Sequence, residues 1–313
     1  VEAGSAIEVA GIMAAKALAG KRIGLFGKGG SGKSTIAVLL AKTLQGRGYH
    51  VCLLDADSTN VGLHQALGLD QAPVPLMDYY GGTVFGGGLV TCPVDDPTLL
   101  DRAETSLEKL PGRYYVRSQA GILLLTAGKI GEQGPGAGCD GPVSKIARDF
   151  RILVAHQSPV TLLDFKAGFE DSARGVVTGL DWAILVVDPT GASVHMAANM
   201  KDMIDRLKAG EPPATAHMES PELAEIARRI FREARIKGVL LVLNKVDDQE
   251  TESYLREKLA EGGMKPIGVV HRDRSISRSW LKGEPLEVPN LEREMDRIVD
   301  ELEAAETAYP FSS

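Results

Sequence analysis

Residues 27–34 read G-K-G-G-S-G-K-S, directly after the apolar run Arg22–Phe26 and directly before a stretch with helical spacing from Thr35 to Gln45. No other feature of the chain restricts its fold as strongly. The octet fits G-x-x-x-x-G-K-[ST], and a strand before it with a helix behind it is the setting in which that pattern cradles phosphate. Glycine lets the backbone curl until successive amide hydrogens face inward, and the helix N-terminus adds donors and a favourable dipole. Gly27, Gly29, Gly30, Ser31, Gly32, Lys33, Ser34 and Thr35 are therefore expected to line a nucleotide. In that pattern Lys33 sits against the β- and γ-phosphates and Ser34 offers its hydroxyl to Mg2+.

The rest of the chain supplies the matching architecture. Short apolar runs recur at 22–26, 50–55, 121–126, 160–165, 183–188, 238–244 and 266–270. They are near-continuous in Val, Leu and Ile, as strands buried on both faces must be. Helical patterns separate them: Ala192–Leu207 is one, and another opens with Ser220 placed to cap and Pro221 in the first turn. Such alternation predicts an α/β fold, a mostly parallel sheet of about seven or eight strands with helices on both faces. Residues 1–20 read as a helical N-terminal extension and 21–290 as a single nucleotide-binding domain. Residues 291–313 read as an acidic helix and tail on that domain, with Leu291, Met295, Ile298, Val299 and Leu302 on one stripe. The Gly- and Pro-rich segments 71–98 and 210–220 read as surface excursions.

Composition removes several function classes. A net charge of −7 argues against a protein built chiefly to coat nucleic acid. No apolar run approaches the roughly 20 residues that span a bilayer. Glu8 and Lys16 interrupt the apolar N-terminal stretch, which spoils a signal-peptide reading. Cys52, Cys92 and Cys139 form no disulfide framework, which points to a reducing cytoplasm. The six histidines are scattered without metal-ligand spacing.

Lys28, a second lysine inside the loop, makes K-G-G-S-G-K-S-T resemble the deviant phosphate loop of the ATPases that include MinD, ParA and the nitrogenase iron protein. The resemblance implies a P-loop NTPase of the deviant Walker A class that forms a homodimer on binding ATP. Lys28 would reach the partner's phosphates, a cation supplied in trans to the transferred phosphoryl group. It also implies Asp57 as the carboxylate that positions the attacking water and Asp164 as the acid holding Mg2+ through water. Gly168, in the turn Lys166–Gly168, would sense the γ-phosphate, whose contacts vanish on hydrolysis. The implied catalytic set is Lys28, Lys33 and Asp57, and the Mg2+ set is Ser34, Asp57 and Asp164. Asn244 and Asp247, in N-K-V-D, match the guanine-reading pattern of GTPases, yet the deviant-loop family uses such an Asn on adenine. Lys28 favours ATP, and Asp247 keeps GTP open.

The stretch D-F-K-A-G-F-E-D-S-A-R-G, from Asp164, further resembles the CooC-type ATPases that mature nickel carbon monoxide dehydrogenase. This resemblance runs from about Lys21 to Pro289 and implies metal delivery to a client metalloenzyme. Two departures stand out. Lys166 occupies a position usually filled by a small residue. The C-x-C pair of that branch is reduced to Cys139, between Gly138 and Asp140. Two Cys139 thiolates meeting at a dimer axis would suit Ni2+ or Zn2+; the other reading of Cys139 is a small buried hydrophobe. For an electron donor like the iron protein, this chain lacks the second cysteine that the cluster needs after Asp164. A MinD- or ParA-type positioning ATPase is the remaining alternative. Its membrane form is opposed by the acidic C-terminal helix, and its DNA form is left with the short basic stretch 271–279. No nucleic-acid partner and no membrane span are expected.

Overall fold

The computed structural model describes residues 16–84, 87–129, 140–168, 175–211 and 220–309. Its strands, in chain order, are β1 (Arg22–Gly27), β2 (Val51–Ala56), β3 (Glu104–Ser106), β4 (Val116–Arg117), β5 (Leu123–Thr126), β6 (Arg151–Leu153), β7 (Val160–Phe165), β8 (Trp182–Val187), β9 (Gly238–Val246) and β10 (Pro266–His271). Eight of them make one sheet in the order β10-β9-β8-β1-β7-β2-β5-β4, parallel throughout except for β4 on the edge. All seven apolar runs lie in this sheet. The expected α/β class and strand number hold. β3, β4 and β6 are additions, two or three residues long and largely half-buried, with no apolar run to announce them.

Side chains alternate between two cores, as the period of two requires. From β1 and β2, Ile23, Leu25, Val51 and Leu53 enter a cluster beneath the helices Lys33–Gly46 and Glu292–Ala308. Phe26, Cys52, Leu54 and Ala56 enter the opposite cluster, covered by Gly141–Asp149, Gly191–Lys208 and Gln249–Glu261. Each fully buried Leu or Ile contributes roughly 1.5–3 kcal/mol. The Cys52 thiol, buried among apolar neighbours, has its pKa pushed up to about 12, consistent with a packing role.

Local signals explain several boundaries. Ser220 Oγ accepts from Leu223 N at 3.4 Å and Pro221 opens the helix Pro221–Arg232. The acidic stripe at the C-terminus becomes Glu292–Ala308, with Met295, Ile298, Val299 and Leu302 buried against the sheet. Its Glu306 is buried but satisfied, accepting from Trp182 Nε1 at 2.8 Å and pairing with Lys237 and Lys21. Residues 71–98 depart from the expected surface excursion: Leu76, Tyr80 and Val90 are buried in the core. Residues 1–15 and 212–219 lie outside the described residues, and 16–20 form a turn with Leu18 buried.

Sheet order places the site. β1 lies between β7 and β8, with Leu25 opposite Asp164, and β2 lies on the far side of β7, with Asp55 opposite the same Asp164. From β1 the chain builds β2 on one side and later β8, β9 and β10 on the other. The order therefore reverses beside β1, where open α/β sheets leave a ligand crevice at the carboxyl ends of their strands.

Candidate nucleotide site

The phosphate loop leaves β1 at Gly27 and enters its helix at Lys33. Gly30 and Gly32 adopt φ of 79° and 96°, the left-handed region that L side chains avoid. At Gly32 the space is also taken: a Cβ would lie 2.2 Å from Asn244 Nδ2. Asn244, buried at the end of β9, donates to Ser31 O at 2.7 Å, and Lys245 Nζ donates to Gly30 O at 2.6 Å. The N-K pair thus braces the loop from behind. Lys245 itself has a positive φ of 60°.

Ser34 and Asp164, 130 residues apart, meet because β1 and β7 are neighbours. Ser34 Oγ donates to Asp164 Oδ2 at 2.6 Å and accepts from Asn60 Nδ2 at 2.9 Å. Asp164 is wholly buried, and its Oδ1 has no hydrogen-bond partner among the described residues. Burial lifts its pKa to about 6, against the opposing pull of the Ser34 bond and Lys33. Lys33 is buried too, and desolvation holds its ammonium below the usual lysine range. A buried orphan carboxylate oxygen beside a serine hydroxyl and a glycine loop is a donor set that fits hydrated Mg2+. Ser34 and Asp164 are the residues that would hold it.

The loop after β2 closes the other side. Asp57 Oδ1 accepts from Thr59 N at 2.9 Å and Thr59 Oγ1 at 2.6 Å, while Asp57 N donates to Asp55 Oδ1 at 3.2 Å. Asp55 is buried beside Asp164, and burial raises its pKa to about 7 although Lys129 Nζ lies 2.6 Å from Oδ2. Gly168 N donates to Gly27 O at 3.1 Å, which brings the turn after β7 against the phosphate loop.

Other expected residues stand further out. Lys28 rests on the segment after β8, with Nζ 3.3 Å from Thr190 Oγ1 and 3.8 Å from Asp188 Oδ2. The Thr35 hydroxyl accepts from Trp280 Nε1 at 3.0 Å. Asp247 is exposed and accepts from Arg272 Nε at 2.7 Å. Cys139 lies outside the described residues, and among those described no group of three or more His, Cys, Asp or Glu could hold a metal. No described helix is long and apolar enough to cross a membrane. Sequence reasoning missed Asn60, Lys129 and the bracing role of Lys245. Asn60 and Lys129 act through contacts between separate parts of the chain that no motif signals, and Lys245, although inside N-K-V-D, braces a loop 215 positions away.

The chain is similar in sequence and fold to known proteins. The chain is 30% identical to the uncharacterized ATP-binding protein MJ0084 of Methanocaldococcus jannaschii over 284 residues, 90% of this chain and 98% of that protein. It is 26% identical to the carbon monoxide dehydrogenase accessory protein CooC of Rhodospirillum rubrum over 196 residues, 58% of this chain and 68% of that one. Among solved structures it is similar in fold to the cell division ATPase MinD of Pyrococcus furiosus. The TM-score there is 0.54 at 18% identity, with 91% and 99% of the two chains covered. The model of the CobQ/CobB/MinD/ParA nucleotide binding domain matches residues 25–286. With that span covering the phosphate loop, Asp57, Asp164 and Asn244 alike, the chain belongs to the CobQ/CobB/MinD/ParA family of nucleotide-binding proteins.

Proposed function

We propose that this protein is a Mg-ATP-dependent, dimerising ATPase that serves as a metallocentre maturation factor and delivers a metal ion to a client enzyme. The observation that carries the nucleotide half is the Ser34–Asp164 pair at the mouth of the phosphate loop, with Asp164 Oδ1 buried and without a hydrogen-bond partner among the described residues. Bound Mg2+ would offset charge on the β- and γ-phosphates. Around it, the loop amides and Lys33 hold the phosphates, and Asp57 orients the attacking water. Asn244 braces the loop and faces the base. Lys28 is half-exposed and lies 3.8 Å from Asp188, a carboxylate that also accepts from Thr190 and Ser193 and so stays satisfied without it. It leaves that rest position at little cost to reach a partner's phosphates, the role proposed for it.

The maturation half draws on the similarity to CooC and on Cys139, which in a symmetric dimer supplies one soft ligand from each subunit. The cargo is Ni2+ or Zn2+. The test is anaerobic metal analysis of the purified protein after exposure to either ion, with ATP and with ADP, beside Cys139→Ala. About one ion per dimer, absent from the variant, supports the proposal. Equal and negligible metal in both proteins rejects the cargo role and leaves a nucleotide switch of the MinD or ParA type.

A further inference from the structure

Lys129 and Asp140 bracket residues 130–139 in the sequence, and both turn towards the loop that carries Asp57. Lys129 Nζ donates to Asp55 Oδ2 at 2.6 Å, to Asp57 O at 2.6 Å and to Asn60 O. Those three acceptors use all three ammonium protons. Asp57 is thereby held through its backbone from two directions, its N–H on Asp55 Oδ1 and its carbonyl on Lys129. Asp140 engages the next residue: Ser58 Oγ donates to Asp140 Oδ1 at 2.5 Å. The second oxygen of Asp140 takes Lys166 Nζ at 2.6 Å, from the turn that follows β7. The far end of the loop reaches the Mg2+ set directly, through Asn60 Nδ2 on Ser34 Oγ. One short loop is therefore pinned at residues 57, 58 and 60 by side chains from outside it, and Asp140 joins that loop to the turn after β7.

We propose that Lys129 and Asp140 are positioning residues that clamp the Asp57 loop, so that the rate of hydrolysis depends on them while nucleotide affinity does not. The inference rests on the ATPase reading above and deepens it. Among the described residues no hydrogen bond or ion pair shown for either reaches residues 27–34, which hold the phosphates, so ground-state binding survives their loss. The attacking water, by contrast, must be placed within a fraction of an ångström, and a misplacement of about 1 Å costs on the order of 100-fold in rate. The lysine that the sequence singled out at 166 gains a role here: it draws the turn after β7 to the same carboxylate that holds Ser58.

A purely structural role for Lys129, neutralising the buried Asp55 carboxylate, makes a different forecast, and two variants separate them. Lys129→Met strands that carboxylate and lowers both stability and kcat. Asp55→Asn/Lys129→Met removes both charges and restores stability, but Asp57 O and Asn60 O still lack their donor. The experiment is Mg-ATP hydrolysis with separate kcat and KM, alongside urea unfolding, for the wild type, both Lys129 variants and Asp140→Asn. The clamp requires kcat to fall roughly 10- to 100-fold in the double variant with KM within about threefold of wild type. It requires a smaller fall of the same kind in Asp140→Asn, which keeps the Ser58 bond and loses the Lys166 charge. If Lys129→Met does not fold, the double variant and Asp140→Asn carry the test unchanged. Recovery of kcat together with stability in the double variant overturns the clamp, as does a rise in KM that accounts for the whole loss. No hydrolysis by the wild type refutes the ATPase reading and the clamp with it. Hydrolysis that is equal in wild type and variants refutes the clamp alone.

Discussion

Replacing Asp164 with asparagine removes a carboxyl group that lies wholly buried at the end of β7, where burial raises its pKa from 3.8 to about 6. A carboxyl that holds its proton more tightly folded than unfolded stabilises the fold most at low pH. That contribution is full below the unfolded value and is lost as pH rises through the folded one. Between about pH 4.5 and pH 7.5 the linkage relation puts the loss at about 2 kcal/mol. Asparagine has nearly the same shape and still accepts from Ser34, but it does not titrate. The assay is urea unfolding of nucleotide-free protein in chelator at both pH values. Other carboxylates titrate in this range as well, Asp55 among them, so the quantity to read is wild-type stability minus variant stability. It should fall by about 2 kcal/mol as pH rises between those limits. A difference that stays constant would refute the claim that the fold bears a desolvation cost at this residue. Adding Mg-ADP at the higher pH should reverse the ranking, because only the wild type has the carboxylate that the ion needs.

Three further outcomes follow from the site. Gly32→Ala should abolish nucleotide binding in calorimetry: a non-glycine residue at φ 96° costs about 1–3 kcal/mol, and the added methyl meets Asn244 Nδ2. Lys28→Ala should fold and bind Mg-ATP like wild type, since Asp188 keeps its hydrogen bonds from Thr190 and Ser193 when the lysine is removed. Its phosphate release should drop on the order of 100-fold or more if the lysine acts in trans, and unchanged release would remove that role. Asp247→Ala should leave the preference between ATP and GTP unchanged in a competition assay, as expected of a loop whose second lysine favours ATP. A selective loss of GTP binding would favour the guanine reading.

Much of this architecture was legible in the sequence for a physical reason. Parallel strands buried on both faces need unbroken apolar runs, and all seven such runs became strands of the sheet. The phosphate loop was legible because wrapping an anion with amides demands glycine at set positions, and two of them show left-handed φ. β3, β4 and β6 were not legible. They are short, and pairing partners set them more than their own pattern does. Residues 71–98 hid their contribution because Leu76, Tyr80 and Val90 enter the core singly between Gly and Pro, with no period to mark them. Lys129 escaped notice for a topological reason. Its contact with Asp55 joins residues 74 apart, and it exists because β2 and β5 are neighbours in the sheet. Asn244 reads from its motif as a base contact; that its amide also donates to the loop carbonyl of Ser31 was not legible, because the sheet order brings β9 and the loop after β1 together.

The proposed ATPase depends on Ser34 and Asp164 forming a Mg2+-dependent site for a nucleoside triphosphate. Calorimetric titration of ATP into the wild type and Asp164→Asn, each with Mg2+ and with chelator, tests it most directly. The wild type should bind tightly with Mg2+, and affinity should be lower by at least about tenfold both in chelator and in the variant. Binding of equal strength under all four conditions, or none under any, would contradict it.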